Sequence, residues 1–273
     1  MDTAREAAPE IDRLVLTVNG TMVRRHGDRL RELAGRCGLD SLELLPNFAD
    51  FLLAGRLTRD LATVRMRYRS PEEVLSRLDE WEERRLIEGG NPSLAATPAF
   101  RPVLEALSAA QAEVAAGAWG DHEDDVALVT SLATEVADAA SDDHEVAIVH
   151  RSLPQPTDPF LRLHTRLVTL RYIRQHDHAM AWMSRSLTAP DMVAMTALWH
   201  GEPVEESGDG LRRLVELGYA EDGPPRLTPG GLQVREEIEG ETNRRAQETF
   251  DVLEGEAPSG LVAVLRRLPS AGG

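Results

Sequence analysis

The chain has 273 residues and carries 30 basic against 46 acidic side chains, a formal net charge of -16 at pH 7. Hydrophobic residues make up 42% of it and aromatic residues 4%, a normal apolar content that excludes wholesale disorder. A single cysteine, Cys37, excludes an intramolecular disulfide and a multi-cysteine metal site. We therefore expect one large or two small globular domains.

The predicted location follows from the absence of targeting patterns. The first residues lack the basic segment of a secretory signal, and no apolar run approaches the roughly 18 residues that span a bilayer. Every basic residue is arginine, so lysine Schiff-base chemistry and a P-loop lysine are excluded. The sequence predicts a cytoplasmic protein with no membrane partner and no cofactor.

Apolar residues recur at the helical period over most of the chain, and glycine, proline and Ser/Thr-Pro pairs mark the helix ends. The predicted helices, in chain order, cover 11–36, 42–53, 59–69, 71–88, 99–116, 121–140, 160–186, 192–200, 211–217, 229–253 and 261–268. The apolar run 146–149 is compatible with a strand or a helix. The predicted fold class is mainly α.

Closely spaced prolines at Pro154, Pro156 and Pro159 are typical of a linker. They divide the chain into a first half at 1–150, a Pro-rich linker at 151–159 and a second half at 160–273.

The two halves share an order of signals. In each, a helix is followed by a short apolar–acidic segment, a Gly-Pro turn, a Thr-Pro pair and a long helix. The segments that flank the turns predict two small β-wings, 86–88 with 94–96 and 219–221 with 225–227. The other interpretation is two unrelated helical hairpins, since Thr-Pro is a common helix start.

The second half resembles the MarR-type winged helix-turn-helix family, closely over 160–253, whereas 11–117 resembles it loosely. The resemblance rests on three segments, which are Leu187-Thr188-Ala189-Pro190-Asp191-Met192, the recognition-helix position 211–217, and Gly218-Tyr219-Ala220-Glu221 followed by Leu227-Thr228-Pro229-Gly230-Gly231. It implies tandem winged helix-turn-helix repeats with small β-wings, packed through long helices as a pseudo-dimeric monomer. Such a protein would bind double-stranded DNA.

A winged helix reads DNA by placing one helix in the major groove. The first candidate recognition helix, 71–88, has three arginines against seven acidic residues, and the second, 209–221, has two against three. Five arginines at 56–69 face only Asp60, which predicts phosphate contacts or a solvated face. The predicted DNA-binding residues are Arg65, Arg67, Arg69, Arg77, Arg212, Arg213 and Arg226.

A polar stripe follows one side of the helix at 160–186, with residues spaced seven and four apart. Its members are His164, Arg171, Gln175, His178 and Trp182. In a ligand pocket, Arg171 would pair with a carboxylate and Trp182 would stack on an aromatic ring. The alternative is ordinary polar contact between helices. No metal site is predicted, because His176 and His178 lie on different helix faces.

These patterns favour a DNA-binding transcriptional regulator of the winged helix-turn-helix type that senses a small aromatic or anionic ligand. No catalytic residue is identified. The alternative is a winged-helix scaffold that has lost DNA binding and acts as a ligand-binding or enzymatic pocket protein, and a third is a protein-interaction module. A continuous basic face would favour DNA, whereas a deep apolar pocket around Arg171 and Trp182 would favour a ligand.

Overall fold

The computed structural model describes residues 2–89, 93–204, 208–221 and 223–272. It is mainly helical. The helices are α1 (Thr3–Arg36), α2 (Leu45–Leu53), α3 (Arg59–Arg65), α4 (Pro71–Glu83), α5 (Arg101–Trp119), α6 (Glu123–Asp138), α7 (Glu145–Arg151), α8 (Pro159–Met183), α9 (Ala189–His200), α10 (Asp209–Glu216), α11 (Pro229–Phe250) and α12 (Ala257–Arg267). The strands are β1 (Ile87–Gly89) and β2 (Leu94–Ala96). The ambiguous run 146–149 is helical and belongs to α7.

Side-chain caps mark the starts of several helices. The side chains of Ser70, Asp158, Thr188 and Thr228 each accept a hydrogen bond from a backbone N–H in the first turn of α4, α8, α9 and α11, where they satisfy a donor with no partner inside the helix. The prediction for 71–88 was wrong at its end. Helix α4 stops at Glu83, because Arg85 adopts a left-handed φ of 57° and turns the chain into β1.

The two predicted wings differ in extent. Strands β1 and β2 pair antiparallel with Ile87 opposite Ala96, and Leu57 adds an isolated bridge to Leu94. In the second half, a single bridge joins Ala220 to Leu227, so the predicted strand pair is shorter there.

The chain follows the same local path after α4 and after α10. In both places a left-handed residue ends the helix, the next N–H bonds back to a helix carbonyl, and the threonine of the Thr-Pro pair bonds to the wing. The left-handed residues are Arg85 (φ 57°) after α4 and Gly218 (φ 74°) after α10. The bonds back to the helix run from Leu86 N to Trp81 O and from Tyr219 N to Leu214 O, both at 2.8 Å. The threonine bonds run from Thr97 N to Leu86 O at 2.9 Å and from Thr228 N to Tyr219 O at 3.0 Å.

A glycine permits the close approach of α11 to the second wing. A Cβ atom on Gly231 would lie 2.0 Å from the carbonyl oxygen of Tyr219, which no side chain can tolerate. The glycine of the Thr228-Pro229-Gly230-Gly231 motif therefore lets the helix start directly on the wing.

Helix α8 runs through the middle of the protein and packs against α5, α6, α7 and α11. Its first part, up to Ile173, belongs to a large apolar core shared with α1–α7, α12 and the end of α11. From Ala179 onward it belongs to a smaller core with α9, α10 and the start of α11. The change of core thus falls within α8.

Within the described ranges, no helix is both long and apolar enough to cross a membrane.

Candidate ligand-binding cleft

A cleft of about 1380 Å³ lies between α8 and the facing surfaces of α1, α2, α9 and α11. It follows α8 from Leu161 to His178, which is roughly 26 Å at 1.5 Å per residue. Sites for drug-sized ligands usually enclose about 300–1000 Å³. The cleft is therefore large enough for an elongated small molecule.

The walls of the cleft expose large apolar side chains. Leu16, Val193 and Trp199 line it and are 54%, 50% and 45% exposed. Grouped apolar exposure of this kind is typical of binding surfaces, because it gains free energy when a ligand removes it from water.

The structure brings four of the five predicted stripe residues to the cleft, namely His164, Arg171, Gln175 and His178. Trp182 does not line it. Its side chain is buried, and its indole N–H donates to the Tyr68 hydroxyl at 3.3 Å. Tyr68, unlike Trp182, lines the cleft.

Arg171 corrects one expectation. Its Nε donates to Oδ1 of Asp12 at 2.6 Å, so the protein itself supplies the carboxylate that we expected a ligand to supply. Asp12 lies on α1, far from α8 in sequence, and charge pairing over that distance leaves no periodic signal. The cavity beside Arg171 is nevertheless present, since both residues line the cleft.

A hydrogen-bonded chain links Trp182, Tyr68 and His178. The Trp182 N–H donates to the Tyr68 oxygen at 3.3 Å, and the Tyr68 hydroxyl lies 2.6 Å from Nδ1 of His178. Nε2 of His178 lies 3.6 Å from Oε1 of Glu239. Burial lowers the pKa of His178 to about 4 despite Glu239, so the imidazole is neutral at pH 7.

Sequence reasoning missed a second polar group near the start of α8. Oδ2 of Asp50 lies 3.5 Å from Nε2 of His150, and both Asp50 and the buried His164 line the cleft. These residues come from α2, α7 and α8. Their approach depends on tertiary packing, so no local spacing could have indicated it.

Two arginines of the 56–69 cluster, Arg65 and Arg67, contact uncharged groups of the protein. Arg65 lines the cleft, donates to Oδ1 of Asn47 at 2.6 Å and lies 4.5 Å above the ring of Tyr172. Arg67 donates to the Val64 carbonyl at 3.0 Å, and burial lowers its pKa.

Helices α3 and α4 neutralise each other. Arg59 on α3 pairs with Asp79 at 2.7 Å and also with Glu82, both on the acidic helix α4. The charge of Arg59 is thus matched by acids on that helix.

The other predicted DNA-binding arginines are also paired. Four of them form exposed ion pairs, Arg69 with Glu43, Arg77 with Glu80, Arg212 with Asp209 and Arg226 with Glu221. Exposed pairs contribute about 0–1 kcal/mol, so a phosphate could displace these acids. Arg213 differs, because it binds the buried Asp191 at 3.0 Å and the Ser186 carbonyl at 2.6 Å, and so connects α10 to the start of α9.

Three acidic residues stand at the start of α6. Glu123, Asp124 and Asp125 occupy the first turn of α6, where negative charge complements the helix dipole. Among the described residues, no three His, Cys, Asp or Glu side chains are grouped so that they could hold a metal ion.

A helix-turn-helix family model matches residues 70–271, which is most of the chain. The chain therefore belongs to this helix-turn-helix family. Helix-turn-helix proteins place a helix in the DNA major groove, so membership suggests, at a coarse level, a DNA-binding regulator. Searches of curated proteins and of solved structures gave no match.

Proposed function

We propose that this helix-turn-helix protein binds an elongated, mostly apolar small molecule in the cleft along α8. The observation that carries the proposal is the exposure of Leu16, Val193 and Trp199 in the cleft walls. Each would lose its contact with water when a ligand fills the cleft, and burial of apolar surface stabilises by about 25 cal/mol per Å².

The proposed architecture is a tandem, MarR-like pair of winged halves, 1–150 and 160–273, that act as a pseudo-dimeric monomer. The hydrogen bonds that recur after α4 and α10 support a structural repeat. In this arrangement the ligand touches both halves, since α1 and α2 line one side of the cleft and α9 and α11 the other.

The ligand proposal needs fewer rearrangements than extensive DNA binding. Phosphate binding by Arg69, Arg77, Arg212 or Arg226 must first open an ion pair at each residue. A ligand entering the cleft displaces only water from the apolar walls.

The cleft is tested with Nile red, a neutral apolar dye whose fluorescence rises in apolar surroundings. We expect saturable binding at one site. The substitution Val193→Asp puts a charge in the wall and should weaken binding about tenfold, equivalent to about 1.4 kcal/mol. The matched control is Leu128→Asp on α6, also a half-exposed helical position but outside the cleft, and it should bind as the wild type does. Equal loss in both variants, or no saturation, would contradict the proposal.

DNA binding is the second candidate, and the family match favours it. The test is retention on mixed genomic DNA at low and high salt. If the protein is retained, alanine at Arg77, Arg212 and Arg226 should lower the slope of affinity against salt by about one unit per lost phosphate contact. If the protein passes through the column at low salt, DNA binding is refuted and ligand binding is the remaining candidate function.

A further inference from the structure

Helix α2 presents the carboxylate of Asp50 to the cleft. Most of its surroundings are protein, yet its side chain remains 47% accessible, because it lines the cleft. Burial raises the pKa of Asp50, but the interaction with His150 outweighs it, so the pKa is lowered. The group is therefore an ionised acceptor at pH 7.

The buried His150 lies beside the Asp50 carboxylate. Its side chain is buried between the rings of Phe51 and Tyr172, with centroids 5.5 Å and 5.0 Å away. Its Nδ1 lies 2.8 Å from the hydroxyl of the buried Thr169, and its Nε2 faces Asp50. The Thr169 hydroxyl donates to the carbonyl oxygen of Thr165 at 3.1 Å, so its oxygen accepts from Nδ1–H of His150, and Nε2 of His150 lies 3.5 Å from Oδ2 of Asp50.

His164 adds a polar atom without a partner. Its side chain is only 3% exposed and lines the cleft, and its Nε2 is buried without a hydrogen bond. Burial lowers the pKa of His164 to about 4 although Asp50 acts in the opposite direction, so the ring is neutral at pH 7. An unpaired buried nitrogen weakens the fold unless something in the cleft bonds to it.

We propose that Asp50 and His164 bind a hydroxyl group at one end of the apolar ligand. The hydroxyl donates its proton to the Asp50 carboxylate, and its oxygen accepts a hydrogen bond from Nε2–H of His164. The inference rests on the proposed function, since it names the polar anchor of the same cleft.

The surrounding charges select a hydroxyl over the other polar groups. Asp50 would repel a carboxylate. The nearby cation Arg171 would not compensate for this repulsion, because it is already bonded to Asp12. An ammonium group could donate to Asp50, but it has no lone pair with which to accept a hydrogen bond from Nε2–H of His164. An alcohol has one donor and one acceptor in the required order and carries no charge.

The test compares decanol, decanoate and decylammonium as competitors of Nile red. We expect decanol to displace the dye at the lowest concentration. His164→Phe removes the ring nitrogens and should weaken decanol about tenfold, while Nile red still binds. Asp50→Asn should weaken decanol about threefold and strengthen decanoate, because the repelling charge is gone. Asp28→Asn, at an exposed position on α1 outside the cleft, is the matched control and should leave all three affinities unchanged.

The outcomes separate the two proposals. If Nile red does not bind the wild type, the cleft function itself fails. If Nile red binds but decanol binds His164→Phe and wild type equally, the cleft stands and the hydroxyl anchor is refuted. Tighter binding of decanoate or decylammonium than of decanol would also overturn the anchor and assign an acid or an amine instead.

Discussion

The neutral, buried His164 should make the stability of the protein depend on pH. Its pKa falls from 6.5 to about 4 on folding, with burial as the main cause. Below pH 6.5 His164 is therefore protonated in the unfolded chain but stays neutral in the folded chain. The contribution of the neutral ring to the free energy of unfolding is fully present above pH 6.5 and is lost progressively as the pH falls toward 4.

The size of the effect follows from the two pKa values. Each pH unit between the two pKa values changes the free energy of unfolding by about 1.4 kcal/mol. Lowering the pH from 7.5 to 5 crosses roughly one and a half of these units, so the protein should lose about 2 kcal/mol of stability. Asp50, His150 and Arg171 are the charged or titratable groups that act on the ring. His164→Phe removes the titration and should reduce the loss of stability over this interval by that amount.

Urea unfolding followed by circular dichroism at pH 7.5 and pH 5 measures the difference. Ser108→Ala changes a side chain in the cleft wall that does not titrate, so it should keep the pH dependence of the wild type. The same loss of stability in His164→Phe and wild type would show that the folded protein accepts the proton, and would refute the assignment of a buried neutral imidazole.

Three further predictions concern the fold. Gly231→Ala should destabilise the protein by about 3 kcal/mol in urea unfolding, because its Cβ would lie 2.0 Å from a wing carbonyl oxygen, whereas Gly230→Ala has room and should change stability by less than about 1 kcal/mol. Arg213→Ala should cost about 1–2 kcal/mol by leaving the buried Asp191 short of its cation, whereas Arg212→Ala, which loses an exposed pair, should cost less than about 0.5 kcal/mol. Sedimentation should show a monomer, since α8 and α11 pack against each other within the chain, and a dimer that resists dilution would contradict the tandem arrangement.

Local sequence patterns predicted those parts of the fold that local interactions determine. Caps such as Ser70 and Thr228 marked helix starts correctly, because a side chain that accepts from a first-turn N–H acts within three residues. The strand pair β1–β2 was predicted from its apolar segments. The bridge from Leu57 to Leu94 was missed, because a single residue that pairs across a helix-turn-helix carries no alternating pattern.

The candidate site shows the same limit. His164, Arg171, Gln175 and His178 all line the cleft, because helical periodicity places them on one side of α8. The excess of arginine at 56–69 predicted that Arg65 contacts DNA, whereas its side chain lines the cleft. Composition cannot indicate which face of the short helix α3 turns inward.

The cleft and the helix-turn-helix elements share their structural parts. Val193 and Trp199 are on α9, which lines the cleft and packs directly against α10, the recognition-like helix. A ligand held between the large core and α9 would therefore restrict the position of α10 without touching it. Such coupling requires that the ligand bind one arrangement of α9 better than another, because tight but equal binding shifts no equilibrium. The apolar walls on α1 and α9 meet that requirement, since a ligand can bury both only when the two helices stand at the distance that its width allows.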